Sequence, residues 1–508
     1  MHTPRLTRRQ FLKGAGATAA IGAVGPRLLF GDAAHAAANA HDTVVSLFLR
    51  GGCDMLNLVL PTSGADRAHY EEARPTLAIP IGGAYAALPL ALAGNVDTGF
   101  GLHPSATGLR DLWNAGRLAI VHGCGLLTSV TRSHFDAQLM IDLGTPGKQG
   151  AGIGWLARAL DTQPGLAGSE PMPALGVSSR QLASLGGTTR ALAMGSPNDF
   201  RLNQGPWQWQ TRVGRSEINA GVNEVLARLW GGNTGLELGG ARAKAALDVV
   251  ATQAWGARPA SWPASTFADQ LWTIAQSIRF GFGLRYATLD LGGWDTHDGQ
   301  GSAGTGFHYF QNKIAELSAA LAAFHADLDA TGHMARVTVT VQSEFGRRVR
   351  ENANRGTDHG YGNPMLVLGG AVNGRRFYGD WRGLHPETLS PYYGDVPVTT
   401  DHRRVLSEIL VRRMGNPNLG AVFPGYAGYA PMGIVQGADL QPLGMPDAPI
   451  AAAGASVDAP PMVGGQSQPA GVDHAGADGR APRRDWWDAM RASQPRDAWD
   501  LRHRRRER

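Results

Sequence analysis

The apolar positions of this chain fall into short unbroken runs, set apart by longer stretches with helical spacing. Residues 43–49 (TVVSLFL), 118–122 (LAIVH), 286–291 (YATLDL), 336–342 (RVTVTVQ) and 364–368 (PMLVL) are rich in Val, Ile, Leu and Thr and carry almost no charge. Runs of this length and composition predict strands buried on both faces. Between them, apolar residues recur every three or four positions near 105–115 and over 133–143, 263–279, 307–331 and 402–414, which predicts helices. The stretch 155–255 alternates helical segments with Gly/Pro-rich loops and carries no informative motif. Strands separated by helices predict an α/β fold with a mainly parallel sheet covered on both sides.

Composition adds a compartment. The chain has 508 residues, 43% of them hydrophobic, enough to bury a large core as a single unit. Its net charge of +5 sits at the two ends: residues 1–36 hold five basic residues against Asp32, and 480–508 hold ten Arg against five acids. The body between is net acidic, so the basicity gives no reason to expect a nucleic-acid partner. Arg8-Arg9 followed by Phe11-Leu12, an Ala/Gly-rich apolar run and the small residues of Ala34-His35-Ala36 predict a twin-arginine signal peptide over 1–36. That run is too short and weak for a membrane span. The translocase is then a partner during export, and the mature body works in the periplasm or is secreted. The route carries folded proteins, which fits a chain that takes up a metal first. Residues 37–445 read as one domain. From 446 to 508 the Ala/Gly/Pro/Ser/Asp composition predicts a disordered tail with a basic end, in which Trp486, Trp487 and Trp499 leave a docking role open. Two cysteines, Cys53 and Cys124, make neither a disulfide scaffold nor a metal knuckle, though one bridge between them is open in an oxidising compartment.

The candidate chemistry lies where predicted strands end, the position at which open α/β sheets build their sites. Gly51-Gly52-Cys53-Asp54, Gly292-Gly293-Trp294-Asp295-Thr296-His297 and Ser343-Glu344-Phe345-Gly346-Arg347 each follow a strand, and Gly356-Thr357-Asp358-His359-Gly360 precedes the next. Carboxylates and imidazoles gathered there suit zinc, manganese or iron, whereas calcium or magnesium would want more oxygen. Thr131-Arg132-Ser133 opens the helix over 133–143; Ser133 is either its N-cap or a hydroxyl nucleophile at a helix start that attracts anions. Gly152-Ile153-Gly154 fits a dinucleotide fingerprint, but no strand precedes it. There is no Walker phosphate loop and no Gly-x-Ser-x-Gly elbow. His103, His122, His308, His325 and His333 stand alone and read as structural or solvated.

Taken in order, the twin-arginine start and the segments LFLRGGCDMLNLVLP, TRSHFDAQ, LGGWDTHDGQ, SEFGRR and GTDHGYGN resemble one bacterial family, the domain-of-unknown-function family fifteen-oh-one, related to the alkaline phosphatase and sulfatase superfamily. The resemblance covers roughly residues 40–430. It implies a three-layer αβα sandwich, alkaline phosphatase-like, with a two-metal hydrolase site binding zinc, manganese, calcium or magnesium. It implies Asp54, Asp358 and His359 as ligands of one ion, Asp295 and His297 as ligands of the second, and Ser133 or Thr131 as nucleophile. Arg132 or Arg347 would neutralise the charge that develops on the transferred group. The pattern departs from the superfamily at three places: Asp295 and His297 lie two apart rather than four, the late second-site histidine has only His385 and His402 as candidates, and Cys-x-Pro-Ser-Arg, needed for formylglycine chemistry, is missing.

The reading that follows is an exported metal-dependent hydrolase of phosphate or sulfate esters, acting on a small-molecule or polysaccharide ester. The alternative is a non-catalytic periplasmic or cell-surface binding protein on the same fold. A third reading is a single iron held by His297, His359 and an Asp.

Overall fold

The computed structural model describes residues 41–147, 152–197, 228–251, 253–391 and 394–446. The signal peptide and nearly all of the expected tail lie outside the described residues.

The predicted runs become strands in one large sheet. Its members are β1 (Thr43–Leu49), β5 (Leu118–Gly125), β6 (Ala174–Gly176), β7 (Ala191–Ala193), β8 (Tyr286–Leu291), β9 (Val337–Ser343), β10 (Asn363–Gly369), β11 (Arg376–Tyr378) and β12 (Thr400–Asp401). A small antiparallel sheet of β2 (Val59–Pro61), β3 (Leu88–Ala91) and β4 (Asp97–Leu102) flanks the loop after β1. The large sheet runs β11-β5-β10-β9-β1-β8-β6-β7, with β12 also on β5. Every pairing in it is parallel except the two made by β10, which runs against β5 and β9.

Helices cover both faces. In chain order they are α1 (Gly64–Ala73), α2 (Thr107–Asn114), α3 (His134–Leu143), α4 (Trp155–Asp161), α5 (Gly235–Ala251), α6 (Thr266–Arg279), α7 (Tyr309–Ala330), α8 (His402–Arg412) and α9 (Leu419–Val422). The side-chain period of two splits each central strand between two cores. Val45, Leu47 and Leu49 of β1 pack with Leu109 and Leu112 of α2, Leu271 and Ile274 of α6, and Ile314, Leu317 and Leu321 of α7. Val44 of the same strand packs on the other side, with Leu156 of α4, Leu406 and Ile409 of α8, and Val422 of α9. The result is a three-layer αβα sandwich with a mainly parallel sheet, the architecture the hydrophobic pattern predicts.

This topology fixes where a site can form. β1, β5, β8 and β9 are parallel, so their carboxyl ends open on one edge, and antiparallel β10 brings the loop before it to the same edge.

Candidate metal centre

Asp295 comes from the turn after β8, and two close backbone approaches set its place. Gly51, following β1, has φ of 121°, and a Cβ there would lie 2.6 Å from the Asp295 backbone nitrogen. Gly356 packs on the His297 backbone so closely that a Cβ would meet its carbonyl carbon at 2.2 Å. Both positions therefore need glycine for space, and Gly51 also for its backbone angle.

Arg347, after β9, joins these turns. Its side chain is fully buried. Nε donates to the Gly52 carbonyl at 2.6 Å, Nη1 to the Thr357 carbonyl at 2.6 Å, and Nη2 to the Gly51 carbonyl at 2.5 Å and to Asp295 Oδ1 at 2.6 Å. One guanidinium thus ties the β1, β8 and β10 loops together and orients the carboxylate.

Two imidazoles face that carboxylate. His134, the first residue of α3, places Nε2 3.4 Å from Asp295 Oδ1, and His359, before β10, places its own Nε2 at 3.5 Å. Neither Nε2 has a hydrogen-bond partner, and both are buried. Their Nδ1 atoms are occupied: that of His134 lies 2.7 Å from Glu344 Oε1, and that of His359 2.7 Å from the Arg132 carbonyl. A carboxylate and a carbonyl at Nδ1 each require a proton there, which leaves Nε2 as the ligating nitrogen of each ring in its neutral form. Imidazoles that bind metals are held in this way, by a carboxylate or carbonyl behind the ring. One ligand atom from each of His134, Asp295 and His359 can be chosen so that all lie within 4.8 Å of one another.

Glu344 is the anchor behind His134. It is buried, and its Oε1 also accepts from Gly51 N at 2.9 Å and Gln138 Nε2 at 2.7 Å. Burial works against its charged form, but the bonds from His134 and Gln138 hold its carboxyl below the usual range. Burial also opposes ionisation of Asp295, yet His134, His359 and Arg347 keep it well below the ordinary carboxylate range. For His134, burial is outweighed by the Asp295 and Glu344 carboxylates, which lift it to about 9, so the metal-free ring is a cation and an incoming ion displaces its Nε2 proton. His297 stands at the mouth, its side chain 42% exposed and its Nδ1 2.7 Å from Asp295 Oδ1. Burial and then the Arg347 charge lower its pKa, favouring the neutral ring.

The residues singled out from the sequence thus separate. Asp295, His297 and His359 come together. Asp54 does not join them: it is fully buried and held by Arg74, whose Nη1 and Nη2 donate to its two oxygens at 2.6 and 2.9 Å, and by Gln300 Nε2 at 2.7 Å. Asp358 accepts from Asn352 Nδ2 at 3.0 Å and stands 3.8 Å from Arg348 Nη1. Ser133 caps α3, its Oγ accepting from Asp136 N at 3.4 Å, and Thr131 Oγ1 accepts from Ser133 N at 3.2 Å. Arg132 donates to the His359 carbonyl and pairs with Asp395. His385 is exposed, its ring against His69, while His402 is buried at the start of α8 with Nδ1 3.2 Å from the Gly125 carbonyl. Cys53 and Cys124 are buried free thiols rather than a bridge, and burial pushes both pKa values up. His134 and Glu344 are the site residues not singled out as ligand or anchor, although both lie inside the TRSHFDAQ and SEFGRR segments. The signal for His134 is its place at the head of a helix with Gln138 one turn on.

Residues 245–409 match the model of a family described as protein of unknown function (DUF1501), and residues 5–25 match the twin-arginine translocation pathway signal sequence. The signal places the protein in the periplasm or outside the cell, with the translocase as partner during export. No described helix is long and apolar enough to cross a membrane. No curated protein matches the chain. Among solved structures, the lipoteichoic acid synthase LtaP from Listeria monocytogenes aligns at 9% identity over 78% of this chain and 75% of that one, with a TM-score of 0.27.

Proposed function

For a chain that matches the DUF1501 family and leaves the cytoplasm by the twin-arginine route, we propose the function of an exported metal-dependent hydrolase of phosphate or sulfate esters, built on one divalent ion. The observation that carries it is the pair of buried, unpartnered Nε2 atoms on His134 and His359, aimed at Asp295 and each fixed from behind at Nδ1. Two imidazoles and a carboxylate suit a zinc-, manganese- or iron-like ion better than calcium or magnesium. The residues present fit such an ion, and the three ligands His134, Asp295 and His359 take one member from each of two sets expected for two ions, plus a histidine from neither.

When bound, the ion supplies a Lewis acid that draws charge from an ester oxygen and lowers the pKa of a hydroxyl or water. The rest falls to the chain. Glu344 and the Arg132 carbonyl hold the two imidazoles in the ligating tautomer. Arg347 holds Asp295. Because the polar atoms of Arg347 are committed to carbonyls and Asp295, and those of Arg132 to the His359 carbonyl and Asp395, both act as positioning residues. Neutral His297, with Nδ1 toward Asp295 and its far side at the mouth, is placed to take or return a proton at Nε2. Two hydroxyls adjoin a ligand in sequence, Ser133 beside His134 and Thr296 beside Asp295; Thr296 is buried with its Oγ1 donating to Gln300 Oε1 at 2.8 Å, which leaves Ser133 to support the nucleophile reading.

Metal analysis of mature, exported protein, paired with aryl phosphate and aryl sulfate turnover, tests this. About one divalent ion per chain is expected. His134→Ala and His359→Ala lose the ion and at least a hundredfold in turnover; Ser133→Ala keeps the ion and loses turnover. Undiminished turnover by metal-free protein overturns the reading. A single iron without ester turnover favours oxygen chemistry on the same two-His, one-carboxylate set, and a bound ion of another kind without turnover favours the binding-protein alternative.

A further inference from the structure

A second polar cavity lies at the opposite edge of the sheet. It has a volume of about 660 Å³ and is lined by the segments that enter the strands: His41 and Asp42 before β1, Glu170 before β6, Arg285 before β8 and Arg336 before β9, together with Arg412 and Arg413 at the end of α8. That size falls within the range of small-molecule sites. β1 and β9 each span seven residues between this cavity and the metal centre, a separation of about 20 Å at the usual strand rise. The two sites are distinct.

Charge gives the cavity its preference. Four guanidiniums line it against two carboxylates, and both carboxylates are already engaged. Asp42 pairs with Arg336 at 3.4 Å and with Arg413. Glu170 accepts from the Ala167 and Gly168 backbone nitrogens at 2.8 Å each. Arg412 is taken up by Glu408 and Asp439 outside the cavity. Arg285 differs from the other three. Its Nε is buried without a hydrogen bond, as is that of Arg413, but where the other three each pair with a carboxylate, none lies within ion-pair distance of Arg285 among the described residues. Burial lowers its pKa, with Glu170 and Asp42 offsetting that only in part. Burial and then Arg285 lower His41 to about 4, so its ring is neutral and sets no further positive charge against an incoming anion. A half-buried guanidinium without a counter-ion is unfavourable and is relieved when an oxyanion docks on its planar fork.

We propose that this cavity binds a small oxyanion, a phosphate or carboxylate compound whose anionic head docks on Arg285 between Arg336 and Arg413. The ligand occupies a site separate from the metal centre, and its binding does not need His134, Asp295 or His359.

Calorimetric titration of the mature protein with pyrophosphate, and separately with malonate, tests the assignment and distinguishes the phosphate from the carboxylate source. Binding by at least one probe is expected, weakening as salt rises. Arg285→Gln should weaken it at least tenfold. The variant removes a group without a hydrogen-bond partner at Nε, so it should keep the parent circular dichroism and melting temperature. Arg285→Lys should recover part of the affinity. His359→Ala should bind the probe as the parent does. The proposal is overturned if neither probe binds, if Arg285→Gln binds as well as the parent, or if His359→Ala abolishes binding, which would place the anion at the metal centre.

Discussion

At the scale of single residues, burial and partners decide which charged groups serve structure and which are left for chemistry. Asp54 and Asp295 both follow a strand and a pair of glycines, yet Asp54 is fully buried in a fork from Arg74 while Asp295 is half exposed beside two unpartnered imidazole nitrogens. Asp54→Ala strands Arg74 as an unpaired buried charge and should cost about 3–5 kcal/mol in denaturant unfolding. Metal content per folded molecule should be unchanged, which separates this residue from the ligands. Glu344→Gln is the complementary case. The amide keeps an oxygen for the Gly51 nitrogen, but the carboxylate charge behind His134 is gone. Metal affinity should fall roughly 10- to 100-fold in competition with a chelator, with little change in secondary structure.

At the scale of elements, the site depends on how strands hand over to loops and helices. Ser133 caps α3 and so sets the direction from which His134 enters. Loss of that cap in Ser133→Ala should cost about 1 kcal/mol, so an effect on turnover far larger than this stability change would mark the hydroxyl as chemical. Gly51 governs the approach of the β1 turn to the β8 turn. Gly51→Ala demands a left-handed backbone angle from alanine and space already filled by the Asp295 nitrogen. It should destabilise by about 2 kcal/mol or more and lower metal affinity together, since the same contact positions the ligand. Element boundaries were largely legible from the apolar runs: 286–291 matches β8 without change, and 133–143 gives α3 with its cap. β6 and β7 were not legible. Each is three residues long in a Gly/Pro-rich stretch, and only pairing to β8 and to each other makes them strands.

At the scale of the whole molecule, buried histidines set the response to acid. His103, His122 and His402 are buried, and burial lowers each to about 4. A group whose folded pKa is depressed below its unfolded value near 6.5 binds protons more readily when unfolded. The three rings therefore contribute stability above about pH 6.5 that is lost as the pH falls through about 4. Asp142 acts in the opposite sense. Burial raises its pKa to about 6 despite Arg50, so its contribution is present at low pH and is lost as the pH rises through about 6. With His41, four imidazoles held at about 4 stand against Asp142 at about 6 and His134 at about 9, which predicts a lower denaturation midpoint at pH 4.5 than at pH 7.5, measured on metal-free protein so that loss of the ion does not enter. His122→Phe should reduce the difference, because the ring packs against Phe100, Phe377 and Trp381 and gains nothing from ionising.

The sequence alone determined the export route, the αβα class and the edge of the sheet at which chemistry collects, because these follow from local patterns: an arginine pair before a short apolar run, strand-length apolar blocks, and glycines with polar residues at strand ends. Tertiary structure decided which polar residues meet. Asp54, Asp358, Asp295 and His359 all sit in glycine-flanked loops at strand ends, and no local rule tells a carboxylate paired with Arg74, 20 positions on, from one left facing two imidazoles. That choice depends on contacts across more than 200 positions, such as His134 with Glu344 and Arg132 with His359, which exist only once parallel β5, β8 and β9 and antiparallel β10 share one edge.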